Sequence, residues 1–216
     1  MNPYLVLAAA AADWDRLSAR LPADRAARLA GLLERLRGPD GPDRPDHREA
    51  AEEAARLLLP LLPQAAGTGS PRFTAGAVDA AHLGFRASDL AVLVLDGSRM
   101  VGPVLGAVRR RLLAAPALSA AEVRGLGGDP DASGLLRLTG TGGAVRLPAF
   151  QFAEAATPWI AVLDVNALLG GDRDPWGVSD WWLSRDALLD AVPSALLGTG
   201  QDGRLVEAAR YLTEEE

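Results

Sequence analysis

The sequence predicts a mainly α protein, with an N-terminal helical region, one short β-hairpin and a small helical module at the C-terminal end. Three observations lead there. Leu17, Leu21, Leu29, Leu32, Leu33 and Leu36 recur at helical spacing with Arg and Asp between them. Two short apolar runs flank a glycine-rich stretch at 139–143, which reads as a hairpin. Four of the five tryptophans lie between Trp159 and Trp182. The expected divisions are residues 1–117, a helical region without an assigned role; 118–150, a short helix plus hairpin that could be a degenerate winged motif; and 151–216, a small helical module.

The composition suits a folded globular chain. Of 216 residues, 49% are hydrophobic and 23% charged, and the net charge is −6. That balance argues against coating nucleic acid by bulk electrostatics. Every basic residue is Arg, with no Lys, which fits a GC-rich coding bias. Cysteine is absent, so thiol nucleophiles, disulfides and thiolate metal sites are excluded. Residues 1–13 are apolar but lack a basic start, and Asp13 and Asp15 follow, which makes a poor secretory leader. Charges or prolines interrupt every apolar run, so no membrane span and a cytoplasmic location are expected.

Residues 8–37 read as helix, divided at Pro22. Residues 38–45 are a Gly/Pro/Asp breaker. Asp46 is expected to cap a helix over 47–62. A loop over 64–72 and a short helix over 75–83 follow. The run Leu90-Ala91-Val92-Leu93-Val94-Leu95, opened by Ser88 or Asp89, fits helix or buried strand; helix is favoured for want of a strand partner. Residues 101–113 form the next helix, carrying Arg109-Arg110-Arg111. Ser119 and Glu122 form a capping box for a short helix ending at Gly127-Gly128. The hairpin arms are 135–138 and 144–147. Helices are then expected over 158–169, 176–183, 186–192, 193–197 and 202–212, before a solvated tail at 213–216. No internal repeat is visible.

Reactive clusters are scarce. His47 and His82 are the two histidines, and neither has metal-ligand spacing to another ligand. Residues 139–143 lack the Lys-Ser/Thr and strand-to-helix setting of a phosphate loop. Asp172 and Asp174 lie in a turn without a partner base, and no serine sits in an elbow beside a histidine. No cofactor, metal site or enzymatic activity is therefore expected. Trp181 and Trp182 are adjacent, so on a helix they diverge, one inward and the other placed to anchor an interface. Arg109, Arg110 and Arg111 are the candidates for nucleic-acid contact, although a solvated face explains such a run better.

Residues 145–212 resemble the C-terminal toxin-binding domain of Xre/MbcA/ParS-like antitoxins. The resemblance rests on Leu147-Pro148-Ala149-Phe150-Gln151-Phe152, then Asp174-Pro175-Trp176, Trp181-Trp182-Leu183, Leu189, Pro193, Leu196-Leu197, Gly200 and Val206. The chain departs from the family at Arg185-Asp186, where Pro-Asn is usual, and at Asp190-Ala191-Val192, where Gly-Gly is usual. The resemblance implies a cytoplasmic, oligomeric antitoxin that neutralises a RES-type, NAD-consuming toxin by covering its active site. Trp176, Trp181, Trp182, Arg185, Leu189, Leu205 and Tyr211 are the expected partner contacts. Two other readings remain at this point. One is a DNA-binding transcriptional regulator using the Arg109–Arg111 helix and a hairpin wing; the other is a scaffold or adaptor that keeps the module without a toxin.

Overall fold

The computed structural model describes residues 2–37, 45–62 and 84–214. All but Pro45 of the expected breaker at 38–45, the loop at 64–72, the short helix at 75–83 with His82, and the last two tail residues lie outside them. The described chain is mainly helical, with one small three-stranded antiparallel sheet. It divides into two compact units, residues 1–107 and 108–216.

The first unit is built around α1 (Pro3–Ala12), which begins earlier than its sequence pattern predicts. Asn2 supplies the cap: its Oδ1 accepts from the Tyr4 N–H at 3.0 Å, and Pro3 fills the first helical position. α1 has no polar face, so it is buried on nearly all sides. A break at Asp13 separates it from α2 (Trp14–Ser18). α3 (Ala23–Arg37) starts directly after Pro22 and buries Leu29, Leu32 and Leu33. α4 (Pro45–Leu58) offers Ala50, Ala51, Ala54 and Leu58 to the same core. It starts at Pro45 and ends at Leu58, with the remaining residues to 62 forming a turn rather than helix.

The Leu90–Leu95 run is helical, in α5 (Ala87–Leu95). It is opened from Arg86, whose N–H donates to Asp89 Oδ2 at 2.9 Å; the same carboxylate accepts from Gly102 at 3.3 Å. Gly97, at φ +61°, ends it in the left-handed conformation common past helix C-termini. Arg37 grips Asp96 with two nitrogens, at 2.8 and 3.0 Å, and donates to the Ala91 carbonyl at 3.0 Å. The helix expected from 101 starts later, as α6 (Leu105–Ala114). Gly102 sits at φ +81° against the Phe85 ring, and Pro103 follows it, so helix cannot propagate through this turn.

In the second unit the capping box forms as expected on α7 (Ala120–Gly125). Ser119 N–H donates to Glu122 Oε2 at 2.7 Å, and Glu122 N–H donates to Ser119 Oγ at 3.2 Å. The hairpin also forms, but its first arm shrinks to β2 (Leu138–Thr139), paired with β3 (Val145–Pro148). Residues 135–137 stay out of the strand because the Gln151 side chain occupies the backbone of Leu136. Gln151 Oε1 accepts from Leu136 N–H at 2.6 Å, and Nε2 donates to Leu136 O at 3.1 Å. The hairpin is not the sole strand pairing: β1 (Ala117–Leu118) lies on the other side of β3, giving the order β1-β3-β2. Two residues after Pro116 carry too little pattern to be read as a strand.

α8 (Ile160–Leu168), α9 (Pro175–Leu183) and α10 (Asp202–Glu214) follow, with a 3₁₀ turn over Pro193–Leu196. Their shared core holds Leu136, Val162, Val165, Val178, Trp182, Leu189, Leu205 and Ala209. The helix expected over 186–192 is absent. Those residues form a turn closed by an Asp186–Ala191 bridge, with Asp190 at φ +52°. Among the described residues no helix is long and apolar enough to cross a membrane.

The hydrogen bonds from Ser119 hold the Glu122 carboxyl below the ordinary glutamate range. A lowered folded-state pKa contributes stability that is present above the unfolded value, about 4.3 for Glu, and lost as pH falls through the folded one. Glu122→Gln should therefore remove part of the acid sensitivity of the second unit, read as a smaller fall in its unfolding midpoint between neutral and acidic buffer. An identical fall in variant and wild type would refute the assignment.

Candidate protein-binding surface

α9 sets the geometry of the tryptophans. Asp174 Oδ1 caps it by accepting from Gly177 N–H at 2.9 Å, and Pro175 takes its first position. Trp181 and Trp182 diverge as the helical spacing requires. Trp182 is sealed inside at 0% exposure, its Nε1 donates to Asn166 Oδ1 at 2.8 Å, and its ring lies 5.3 Å from Phe150. Trp181 is half-buried, meets Trp182 edge-on at 5.1 Å, and donates its indole N–H to Asp186 Oδ2 at 3.0 Å. Trp159 is also half-buried, beside Gly198.

Of the expected contacts, Trp182 and Leu205 have no exposed surface. Each fills the core shared by α8, α9 and α10, so neither presents side-chain surface to solvent. Trp176 is half-buried beneath Arg109, whose guanidinium carbon stands 5.9 Å from the ring centroid. Arg185 is exposed and reaches Asp190 Oδ1 at 2.6 Å. Leu189 and Tyr211 come together across an open groove of about 210 Å³ between the 186–191 turn and α10. Leu188, Arg204, Glu207 and Ala208 complete it. Leu188 is 52% exposed and Tyr211 48%, so both large apolar walls are reachable from solvent.

Sequence reasoning missed Leu188, Arg204, Glu207 and Ala208. Their grouping is set by a turn over 186–191 that the leucine pattern does not announce, with Leu189 entering the core and Leu188 standing out.

The basic triple does not form one charged face. Arg109 is buried beside Trp176. Arg111 is exposed yet engaged: it pairs with Asp180 and donates to Leu183 O at 3.2 Å and Ser184 Oγ at 3.1 Å. Arg110 is left as the outward-facing member. His47 is buried on the inner side of α4. Among the described residues no group of three or more His, Asp or Glu side chains is arranged to hold a metal ion.

Comparison of the chain with protein-family models, with curated proteins and with solved structures gave no match.

The two neighbouring tryptophans should respond differently to truncation. Trp182→Ala empties a sealed site and strips the partner from Asn166, so it should cost about 3–5 kcal/mol of second-unit stability in chemical denaturation. Trp181→Ala, half-exposed, should cost clearly less and leave the cooperative transition in place. Equal losses would contradict the inward and outward assignment.

Proposed function

We propose that the second unit binds a partner enzyme and neutralises it by covering its active site. The chain's likeness to Xre/MbcA/ParS-like antitoxins over residues 145–212 makes a RES-type, NAD-consuming toxin the expected partner. The observation that carries the reading is the groove between the 186–191 turn and α10. It lies within that same stretch, has Leu188 and Tyr211 as exposed apolar walls, and rests on the buried Leu189. An apolar floor with a polar rim of Arg204 and Glu207 has the layout of a protein interface, in which one bulky side chain of the partner is desolvated at the centre.

This reading is preferred to a DNA-binding regulator because Arg109 is buried beside Trp176 and Arg111 is paired with Asp180, which leaves the triple without one shared basic face. The neutralising reading needs neither.

Leu188→Asp and Tyr211→Ala test it, since both residues are half-exposed and their loss leaves the core intact. Each should weaken association with the purified RES-domain enzyme by about 2 kcal/mol, roughly 30-fold, measured as recovery of NAD consumption. Leu126→Asp, an exposed apolar residue outside the groove, is the control and should change nothing. Full inhibition by both groove variants would overturn the proposal.

A further inference from the structure

Leu188 and Leu189 are neighbours that face opposite ways. Leu189 is anchored by the core it enters. Leu188, half in solvent, gains little from burial, so its place as a wall of the groove comes from the turn that carries it. That turn contains Asp190 at φ +52°, in the left-handed region that Asp tolerates better than most non-glycine residues, and its shape needs bonds to fix it.

Asp186 does the holding. Its Oδ1 accepts from the Leu188 N–H at 2.9 Å and the Leu189 N–H at 3.0 Å. Its Oδ2 accepts the Trp181 indole N–H at 3.0 Å, and its own N–H donates to Ala191 O at 2.9 Å. From the far side, Arg204 reaches the Leu189 carbonyl at 3.4 Å. A single carboxylate thus connects the end of α9 to both leucines. An ordinary Asx turn would use one oxygen on its own loop; here the second oxygen is committed to a ring on the preceding helix.

We infer that Asp186 is the positioning residue of the groove: it sets Leu188 opposite Tyr211 before any partner arrives, and it couples that placement to the Trp181 indole. The inference rests on the groove being the binding surface. A wall fixed in advance removes the ordering cost that a partner would otherwise meet on binding.

Three variants of the full chain separate the carboxylate's two tasks. Asp186→Asn keeps an oxygen for the two amides but presents an NH₂ where the indole needs an acceptor. Asp186→Ala removes both. Trp181→Phe keeps a ring and removes the indole donor. In native-state hydrogen exchange followed by NMR, Asp186→Ala should speed exchange at the Leu188 and Leu189 amides by about tenfold or more, with other second-unit amides unmoved. Asp186→Asn should release the Trp181 indole N–H and, through the same lost bond, loosen those amides only by the small factor expected of Trp181→Phe. Trp181→Phe should loosen the two amides by a smaller factor, which is the coupling. A merely structural role would move the whole unit's protection and its unfolding midpoint together. Should Asp186→Ala fail to fold, the other two variants decide.

The second readout is inhibition of the purified RES-domain enzyme. Asp186→Ala should raise the half-inhibitory concentration about tenfold, as loss of preorganisation would. Unchanged local exchange in the variants, or unchanged inhibition once the amides are loosened, overturns the inference. If the exchange pattern holds but wild-type protein does not inhibit the enzyme, the positioning role is supported and the neutralising function is the part that fails.

Discussion

Gln151, Asn166 and Trp182 form a hydrogen-bonded chain through the interior of the second unit, and its other features hang from that chain. Gln151 and Asn166 are both buried amides. Leaving a buried polar group unpaired costs about 1–3 kcal/mol, so such groups fix structure only where partners are complete. Here they are. Gln151 serves both backbone groups of Leu136 and the Pro148 carbonyl; Asn166 donates to Gly134 O at 2.8 Å and accepts from the Trp182 indole. One connected set of bonds therefore ties the segment before β2 to the end of β3, to α8 and to α9. It determines which of two adjacent indoles goes inward. Once Trp182 is committed to Asn166, Trp181 must face the other way, where Asp186 meets it.

The helices with a clear periodic stripe were legible from sequence. α3 shows its leucines at the spacing that buries Leu29, Leu32 and Leu33, and the Ser119–Glu122 box marks α7 by side-chain chemistry alone. Residues 90–95 are helical, as favoured over a buried strand. What escaped were places where a side chain replaces a backbone partner. Gln151 stands in for a strand beside Leu136, so an alternating pattern over 135–138 did not become a strand of that length. Asp186 closes a turn where the leucine pattern read as helix. Such substitutions depend on residues far apart in the chain, or on a carboxylate whose two oxygens face different elements. α1 escaped for the opposite reason: an all-apolar stretch has no period to read.

The candidate surface was legible in part. The resemblance drew attention to Leu189 and Tyr211, and both line the groove. It also drew attention to Trp182 and Leu205, whose bulk belongs to the interior. Sequence order marks residues that matter to such a module without separating those that touch a partner from those that support the ones that do. The arginine triple shows the same limit. Three like charges in a row suggest a charged face, yet a helix turns by 100° per residue and sends each to a different environment: an aromatic ring, solvent, and the end of α9.

α1 lies at the centre of the first unit with no charged side chain on any face, and small alanines let α4 approach it closely. Such a helix has one favourable setting. Were α4 to lift away, the face of α1 beneath it would meet water with no charged side chain to suit it, and self-association would be the readiest relief. The first unit is thus the part of this chain in which local opening carries a solubility hazard, and the Arg28–Glu53 pair bridging α3 and α4 across the surface works against that opening.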